Sequence, residues 1–297
     1  MIIAAFSTRK IPAGVALIPL LGGVWSSLPP RSSPSADPNP QSLTAILSSP
    51  TLPPWPLTVP TPIDPQVSGI TGLSPKPEDD LGIGHLQPLD RSSLQAENWT
   101  LSPLLYARWL RQVAIPLYAE PGESPWGWLI RGWLMIEGQS PIAIGRDASF
   151  AMVQADSGLY SFPVLEMRPD GWFRFRYTAA GTAWAHLNHL QGNTLALTVE
   201  PWADQLRRSA RVQFRRPGLS QGLRMDPGEF SPLRSLVTSD SLIEPLEVEG
   251  NWVRVRVTQP AQGCLPLPGS NREEGWLRWR DDNQRLLVWF GLEANCS

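Results

Sequence analysis

Cysteine, histidine and lysine are scarce in this chain of 297 residues. It has two cysteines and three histidines, and only two of its 25 basic residues are lysines. The spacings Cys-x-x-Cys, His-Glu-x-x-His, Gly-x-Gly-x-x-Gly and Gly-x4-Gly-Lys do not occur, so common signatures of zinc, dinucleotide and phosphate sites are missing. His186 and His189 lie close in sequence but have no evident third metal ligand. We therefore expect a protein that is not an enzyme, with no catalytic residues, no metal site and no cofactor.

An excess of positive charge is also missing. The formal net charge is −2 and the isoelectric point is near 6.0. Proteins that bind nucleic acids through electrostatics carry basic domains, so we expect no nucleic-acid partner. A nucleic-acid-binding module built from arginine and aromatic residues stays open as a second alternative. Hydrophobic residues make up 42% of the chain, which is enough for a folded core.

Apolar runs long enough to cross a membrane, about 20 residues, are absent. The longest is the N-terminal run 11–25 (IPAGVALIPLLGGVW), which Arg9 and Lys10 precede. A basic start followed by a short apolar stretch is typical of a secretory signal, although no clear small-residue cleavage site follows. We expect residues 1–28 to be a signal peptide or a membrane anchor, and the protein to be exported to the periplasm or cell envelope. A buried helix of a soluble domain is the alternative.

Proline, in contrast, is abundant, and 15 of the 32 prolines lie between residues 29 and 98. Proline removes backbone donors, and this stretch has few apolar runs to bury. The composition predicts a disordered linker over residues 29–98 that holds a folded module away from a membrane. A proline-rich ligand for another domain is the alternative.

The two cysteines are Cys264 and Cys296. In an exported protein they are expected to form a disulfide, because those compartments are oxidising. Free thiols are the alternative. A cysteine nucleophile would need a nearby histidine and an orienting group, and no family signature surrounds either cysteine.

An internal repeat is the strongest pattern in the sequence. Residues 171–178 (GWFRFRYT) and 251–258 (NWVRVRVT) both alternate in the way of a strand with one buried face. In each copy a short strand and a turn precede this segment and a further strand with a tryptophan follows it. Each copy also opens alike, with PLYAEPGESP at 116–125 and GLRMDPGEFSP at 222–232. The first copy carries a long insertion before its alternating strand.

The second copy resembles the bacterial SH3-like (SH3b) domains, whose pattern is a leucine–valine–glycine–tryptophan hairpin followed by a closing Gly-Trp. The matching residues are Leu246, Val248, Gly250, Trp252, Val255, Gly275, Trp276 and Leu277. The first copy has Ala183-Trp184 in place of Gly-Trp. The resemblance implies a mainly β protein with two small SH3-like β-barrels in tandem, at residues 99–200 and 222–297, joined by a connector at 201–221. It also implies non-catalytic binding of cell-wall peptide or of a protein.

The outward faces of the alternating strands are the best binding candidates. Arginine pairs with carboxylates through two hydrogen bonds and stacks on indole, which suits an anionic or amide-rich extended ligand. The candidate residues are Trp172, Arg174, Arg176, Trp252, Arg254, Arg256, Trp126, Trp128, Trp184 and Trp276. A solvated barrel face, or core packing of the tryptophans, is the competing interpretation. We expect the partner to be a cell-wall peptide (peptidoglycan) or an envelope protein, with a structural subunit of an envelope complex as the alternative.

Overall fold

The computed structural model describes residues 50–90, 103–156 and 158–290, and the chain is mainly β. Within these ranges the helices are two 3-10 helices, Val67–Gly69 and Pro103–Gln112, and two α-helices, α1 (Leu187–Leu190) and α2 (Trp202–Arg208). The expected signal peptide or anchor, residues 1–28, lies outside the described residues. Within the described ranges, no helix is long and apolar enough to span a membrane.

Twelve strands precede α2 and seven follow it. The earlier strands are β1 (Ile70–Thr71), β2 (Gly84–Pro88), β3 (Ala114–Leu117), β4 (Gly127–Ile130), β5 (Trp133–Ile136), β6 (Ile142–Ala143), β7 (Phe150–Ala151), β8 (Val153–Asp156), β9 (Leu159–Met167), β10 (Trp172–Arg176), β11 (Thr182–His186) and β12 (Leu197–Pro201). The later strands are β13 (Val212–Phe214), β14 (Gln221–Arg224), β15 (Leu233–Val237), β16 (Leu242–Glu249), β17 (Trp252–Gln262), β18 (Leu265–Arg278) and β19 (Val288–Phe290).

The predicted repeat is present as a repeated strand order. The later strands form one sheet in the order β15-β14-β18-β17-β16-β13-β19. In the earlier part, β11-β10-β9-β2-β12 form one sheet, and β3 joins β11 through the bridge between Tyr118 and Trp184 while pairing with β4. With that bridge included, the strand order of the earlier part is β4-β3-β11-β10-β9-β2-β12. It matches the order of the later sheet strand by strand, so that β4 corresponds to β15 and β12 to β19. We call β2 to β12 the first copy and β13 to β19 the second copy.

The predicted mainly β class is confirmed. No sheet among the described residues closes into a barrel, so the tandem SH3-like barrels stay a prediction. The first strand of each copy lies in the interior of its sheet: β2 lies between β9 and β12, and β13 lies between β16 and β19. The insertion of the first copy forms β5 to β8. Of these, β5 pairs with β4, and β8 pairs with β9.

The alternating strands follow their predicted burial. On β17, Val253, Val255 and Val257 are buried in the core of the second copy, while Trp252 and Arg254 lie on the other face. Successive side chains of a strand point to opposite faces, so the apolar valines all reach the core together. On β10 the two phenylalanines take the same inward places.

The linker prediction is wrong for residues 50–90. Strand β2 is buried along its whole length between β9 and β12. The segment 50–66, which we call the proline-rich segment, has no regular secondary structure and packs on the first copy. Its Ile63 N–H donates to the Arg131 carbonyl at 3.1 Å. The prolines of this segment have no backbone N–H, so few of its backbone donors need a hydrogen-bond partner. Residues 29–49 and 91–98 lie outside the described residues.

The segment 201–221, predicted as a connector, contributes buried residues to the core of the second copy. Helix α2 buries Trp202 against Trp289 and Phe290 of β19, at ring distances of 5.3 and 5.6 Å. The Trp202 indole N–H donates to the Leu81 carbonyl at 3.0 Å. Strand β13 lies inside the second sheet. The two copies therefore share one packed interface.

Two buried arginines complete this interface. Arg280 donates to the carbonyls of Gly82 and Ile83, and Arg215 donates to the carbonyl of Asp79. Burial lowers the pKa of both guanidinium groups below the usual value. Backbone carbonyls are the acceptors in both cases, so the segment before β2 is held against the second copy by charge-assisted hydrogen bonds.

Candidate functional site

The outward faces of β10 and β17 carry the two predicted Trp-Arg-Arg rows at equivalent places. Trp172 is paired across the hairpin with His186, and Trp252 is paired in the same way with Arg278. Trp172 is buried, whereas Trp252 is half-buried. The two rows are therefore alike in backbone and different in access.

The arginines of these rows have partners within the protein. Arg174 lies 2.9 Å from Glu166, and Arg176 donates to the Asp80 carbonyl at 3.0 Å. In the second copy the partners are acidic residues of neighbouring strands: Arg254 with Glu247 and Glu274, and Arg256 with Glu244 and Glu274. Carboxylates balance three of these four charges, while Arg176 bonds a backbone carbonyl, which leaves the rows less positive than the sequence suggests.

The other four predicted tryptophans are dispersed. Trp126 packs at the margin of the first core, and Trp128 is buried against Val59 of the proline-rich segment. Trp276 is buried on β18. Trp184 joins Trp172 in the aromatic cluster of the first copy, and Trp276 is the cross-strand partner of Arg254.

That aromatic cluster fills the outward face of the first copy. Tyr118 packs edge-on against Trp172 at 4.9 Å, and Trp172 packs edge-on against His186 at 5.1 Å. His186 also caps α1, because its Nδ1 accepts from the Asn188 N–H at 3.1 Å. Burial raises the pKa of Tyr118 to about 12, so its phenol stays neutral.

The start of the proline-rich segment lies against the aromatic cluster, where it contacts His189. The Nε2 atom of His189 lies 3.2 Å from the Pro50 carbonyl, which makes that nitrogen the donor and assigns the tautomer. The ring of His189 stacks on Tyr118 at 5.9 Å. Burial lowers the pKa of His189, and the neighbouring His186 acts in the same direction. The outward face of the first copy is therefore filled by side chains and backbone of the protein itself, which leaves no space there for a ligand.

The equivalent face of the second copy is open. The pair Tyr118–Trp184 corresponds to Arg224–Trp276, so an arginine stands where the first copy has its tyrosine. A cleft of 410 Å³ lies here. Its lining residues are Gln221, Gly222, Arg224, Glu229, Phe230, Trp252 and Arg278.

The walls of the cleft are held in place by internal bonds. Arg278 pairs with Glu229 on one side and with Asp282 on the other, and its Nε donates to the Arg280 carbonyl at 2.9 Å. Phe230, on the loop between β14 and β15, is fully exposed. The cleft therefore has one wall that ion pairs hold in place and an exposed aromatic rim.

Two donors of the cleft are available to a ligand. Arg224 donates to the Ser231 carbonyl at 2.7 Å and forms no ion pair within the described ranges. The Gln221 Oε1 accepts from the Arg278 backbone N–H at 3.2 Å, which leaves its Nε2 as a donor. That Nε2 is buried with no partner in the described part of the chain. A buried donor without an acceptor is costly, and an entering carbonyl or carboxylate would relieve the cost.

Sequence reasoning identified Trp252 but missed the other cleft residues. The signal for Arg224 was present, because aligning PLYAEPGE with GLRMDPGE sets it at the place of Tyr118. Arg278 follows Trp276 as His186 follows Trp184. A difference between the copies, rather than a shared feature, marks the site.

A buried polar network elsewhere has the form of a catalytic relay. His85 Nδ1 lies 2.8 Å from Ser161 Oγ, and His85 Nε2 lies 3.1 Å from Glu200. His85 also stacks on Trp202 at 4.7 Å. His85 and Ser161 are fully buried in the interface between the copies, so no substrate reaches the hydroxyl. The network joins β2, β9 and β12 and is structural in this arrangement.

One hydrolase-type pattern occurs, Gly-Leu-Ser-Gln-Gly at residues 218–222. A nucleophile elbow places its serine between a strand and a helix. Here Ser220 is exposed immediately before β14, with a strand after it. The three histidines of the chain bond other groups. The pattern therefore lacks the geometry of a hydrolase.

Within the described ranges, no group of three or more His, Cys, Asp or Glu side chains is placed to hold a metal ion. Cys264 is bonded in a disulfide. Its predicted partner, Cys296, lies outside the described residues, and that pairing stays a prediction. No protein-family model, curated protein or solved structure matches this chain.

Proposed function

We propose that this chain is a non-catalytic, exported binding protein whose second copy takes a carboxylate-bearing peptide in the Arg224 cleft. The observation that carries the proposal is the difference between the copies. One face is filled by Tyr118, His186 and His189, and the equivalent face is an open cleft. The repeated strand order supports a tandem SH3-like origin for both copies.

The chemistry of the cleft favours a cell-wall peptide as the ligand. Arg224 suits a carboxylate, and the free Gln221 amide suits a backbone carbonyl. Trp252 and Phe230 offer apolar surface to short side chains or to peptide planes. The stem peptide of peptidoglycan combines carboxylates, amides and small side chains, so it fits the cleft as one extended ligand.

A structural role in an envelope complex is the second candidate. The shared interface around Trp202 and the buried arginines favours it, because the two copies form one packed unit. In that role the cleft would hold a loop of a partner protein. For a nucleic-acid ligand, no feature of the described residues offers comparable support, since the exposed arginine rows are ion-paired.

Sedimentation of the full chain with purified peptidoglycan sacculi tests the proposal. We expect the wild type to sediment with the sacculi, and Phe230→Ala and Trp252→Ala to reduce the bound fraction about tenfold, because each removes apolar contact at the cleft. Leu265→Ala is the matched control, since Leu265 is exposed at the far end of the same hairpin. Wild-type protein that stays in the supernatant would rule out the cell-wall ligand, and equal binding by all variants would rule out the cleft.

A further inference from the structure

The outer edge of β15 has no strand partner among the described residues. The Leu236 carbonyl of this strand accepts one side-chain hydrogen bond, from Gln259 Nε2 at 3.0 Å. β15 is the first strand of its sheet and pairs only with β14 among the described strands. The equivalent strand of the first copy, β4, pairs with β3 on one side and with β5 on the other. The first copy thus carries one more strand at this edge.

The register of the two sheets shows which residues correspond. Trp128 of β4 lies opposite Pro116, and Leu236 of β15 lies opposite Gly222 in the same way. Trp128 is 6% exposed, whereas Leu236 is 53% exposed. Leu233 at the start of β15 is also exposed. An edge strand with exposed leucines is unusual, because natural proteins protect such edges.

Among the described residues, no strand of the second copy takes the place that β5 has in the first copy. In the first copy the insertion after β4 turns back as β5, with the residues Trp-Leu-Met-Ile. In the second copy the short turn 238–241 leads from β15 directly into β16. The backbone groups and leucines of the β15 edge therefore lie where the first copy has a strand partner.

We propose that the β15 edge binds an extended apolar segment of a partner protein by antiparallel strand addition, as β5 pairs with β4. The occupant has alternating bulky apolar residues like those of β5. An acidic residue beside them would suit Arg234, which is exposed and forms no ion pair within the described ranges. This surface is independent of the proposed peptide cleft.

The chain itself provides the probe, a labelled peptide of residues 131–139 (RGWLMIEGQ) that contains β5 and the acidic Glu137. Fluorescence anisotropy with the full chain should show saturable binding. Leu236→Asp should weaken it about tenfold, because Leu236 would lose its apolar contact. Leu265→Asp is the matched control and should leave binding unchanged. A peptide N-methylated at alternate backbone nitrogens should also bind weakly, since strand addition uses backbone hydrogen bonds.

Amide hydrogen exchange identifies the surface in the same samples. Exchange at residues 233–237 should slow when the peptide binds. Absence of saturable binding, or equal binding by wild type and Leu236→Asp, would overturn the proposal. A dimeric chain whose β15 amides are protected without peptide would overturn it in favour of a second copy of this chain. Sacculus binding is measured separately, so failure here leaves the cleft proposal standing.

Discussion

At the scale of side chains, the position of Tyr118 and Arg224 is one at which the two copies differ in chemistry. Tyr118 and Arg224 occupy the same place in the repeated sheets, opposite Trp184 and Trp276. The tyrosine packs into an aromatic cluster and makes a closed face. The arginine keeps its charge at the surface and leaves a cleft, because a guanidinium group is costly to bury without a partner.

His189 makes the closed face sensitive to pH. Burial lowers the pKa of His189 from its usual 6.5, so the folded protein releases this proton more readily than the unfolded chain does. The contribution of neutral His189 to the free energy of unfolding is fully present above pH 6.5. It is lost as the pH falls below 6.5 towards the lower pKa of His189 in the folded protein. We expect the urea midpoint to drop between pH 7.5 and pH 5.5, and His189→Gln to reduce that drop. Equal drops in both proteins would contradict the assignment.

At the scale of elements, the proline-rich segment acts as part of the first copy. Val59 packs on Ala114, Trp128 and Ile130, which form a small core on the outer face of β3 and β4. Val59→Asp should lower the free energy of unfolding by about 1–3 kcal/mol, because it sets a charge against that core. The control is Leu57→Asp, since Leu57 is fully exposed two residues earlier. Denaturant unfolding of both variants checks the prediction, and equal stabilities would show that the segment is not packed.

The elements that the sequence predicted well are the ones with a strict two-residue alternation. The alternating segments became β10 and β17, and the strands before them became β9 and β16. Strand β2 was missed because it is buried on both faces, so Gly-His-Leu-Gln-Pro shows no alternation, and because prolines surround it. The connector contains the strand β13, which has only three residues and therefore gives a weak pattern in the sequence. Tertiary pairing, and not local preference, makes both of these strands.

At the scale of the whole molecule, the two copies should unfold together. Trp202 reaches both copies, because it is buried against β19 and donates to Leu81 before β2. Trp202→Ala should destabilise the protein by about 3–5 kcal/mol and lower a single calorimetric transition. Trp55→Ala, at a half-exposed tryptophan of the proline-rich segment, is the control with a small effect. Two separate wild-type transitions would contradict the shared interface.

The candidate site could be predicted only in part for a similar reason. Trp252 stood out because its strand repeats that of Trp172. The remaining cleft residues come from β14, from the loop after it and from the end of β18. Their approach depends on how β14 crosses β18, which no local pattern encodes. The ion pairs that neutralise the arginine rows depend on cross-strand register in the same way.

Amide hydrogen exchange of the full chain, with and without a saturating soluble peptidoglycan fragment that carries the stem peptide, tests the central claim most directly. We expect slower exchange in the second copy, at residues 221–224 and 229–231, where the cleft lies. We expect unchanged exchange in the first copy, around Tyr118 and His186, where that face is already closed. Protection of the first copy, or no change in either copy, would show that the cleft does not bind the peptide.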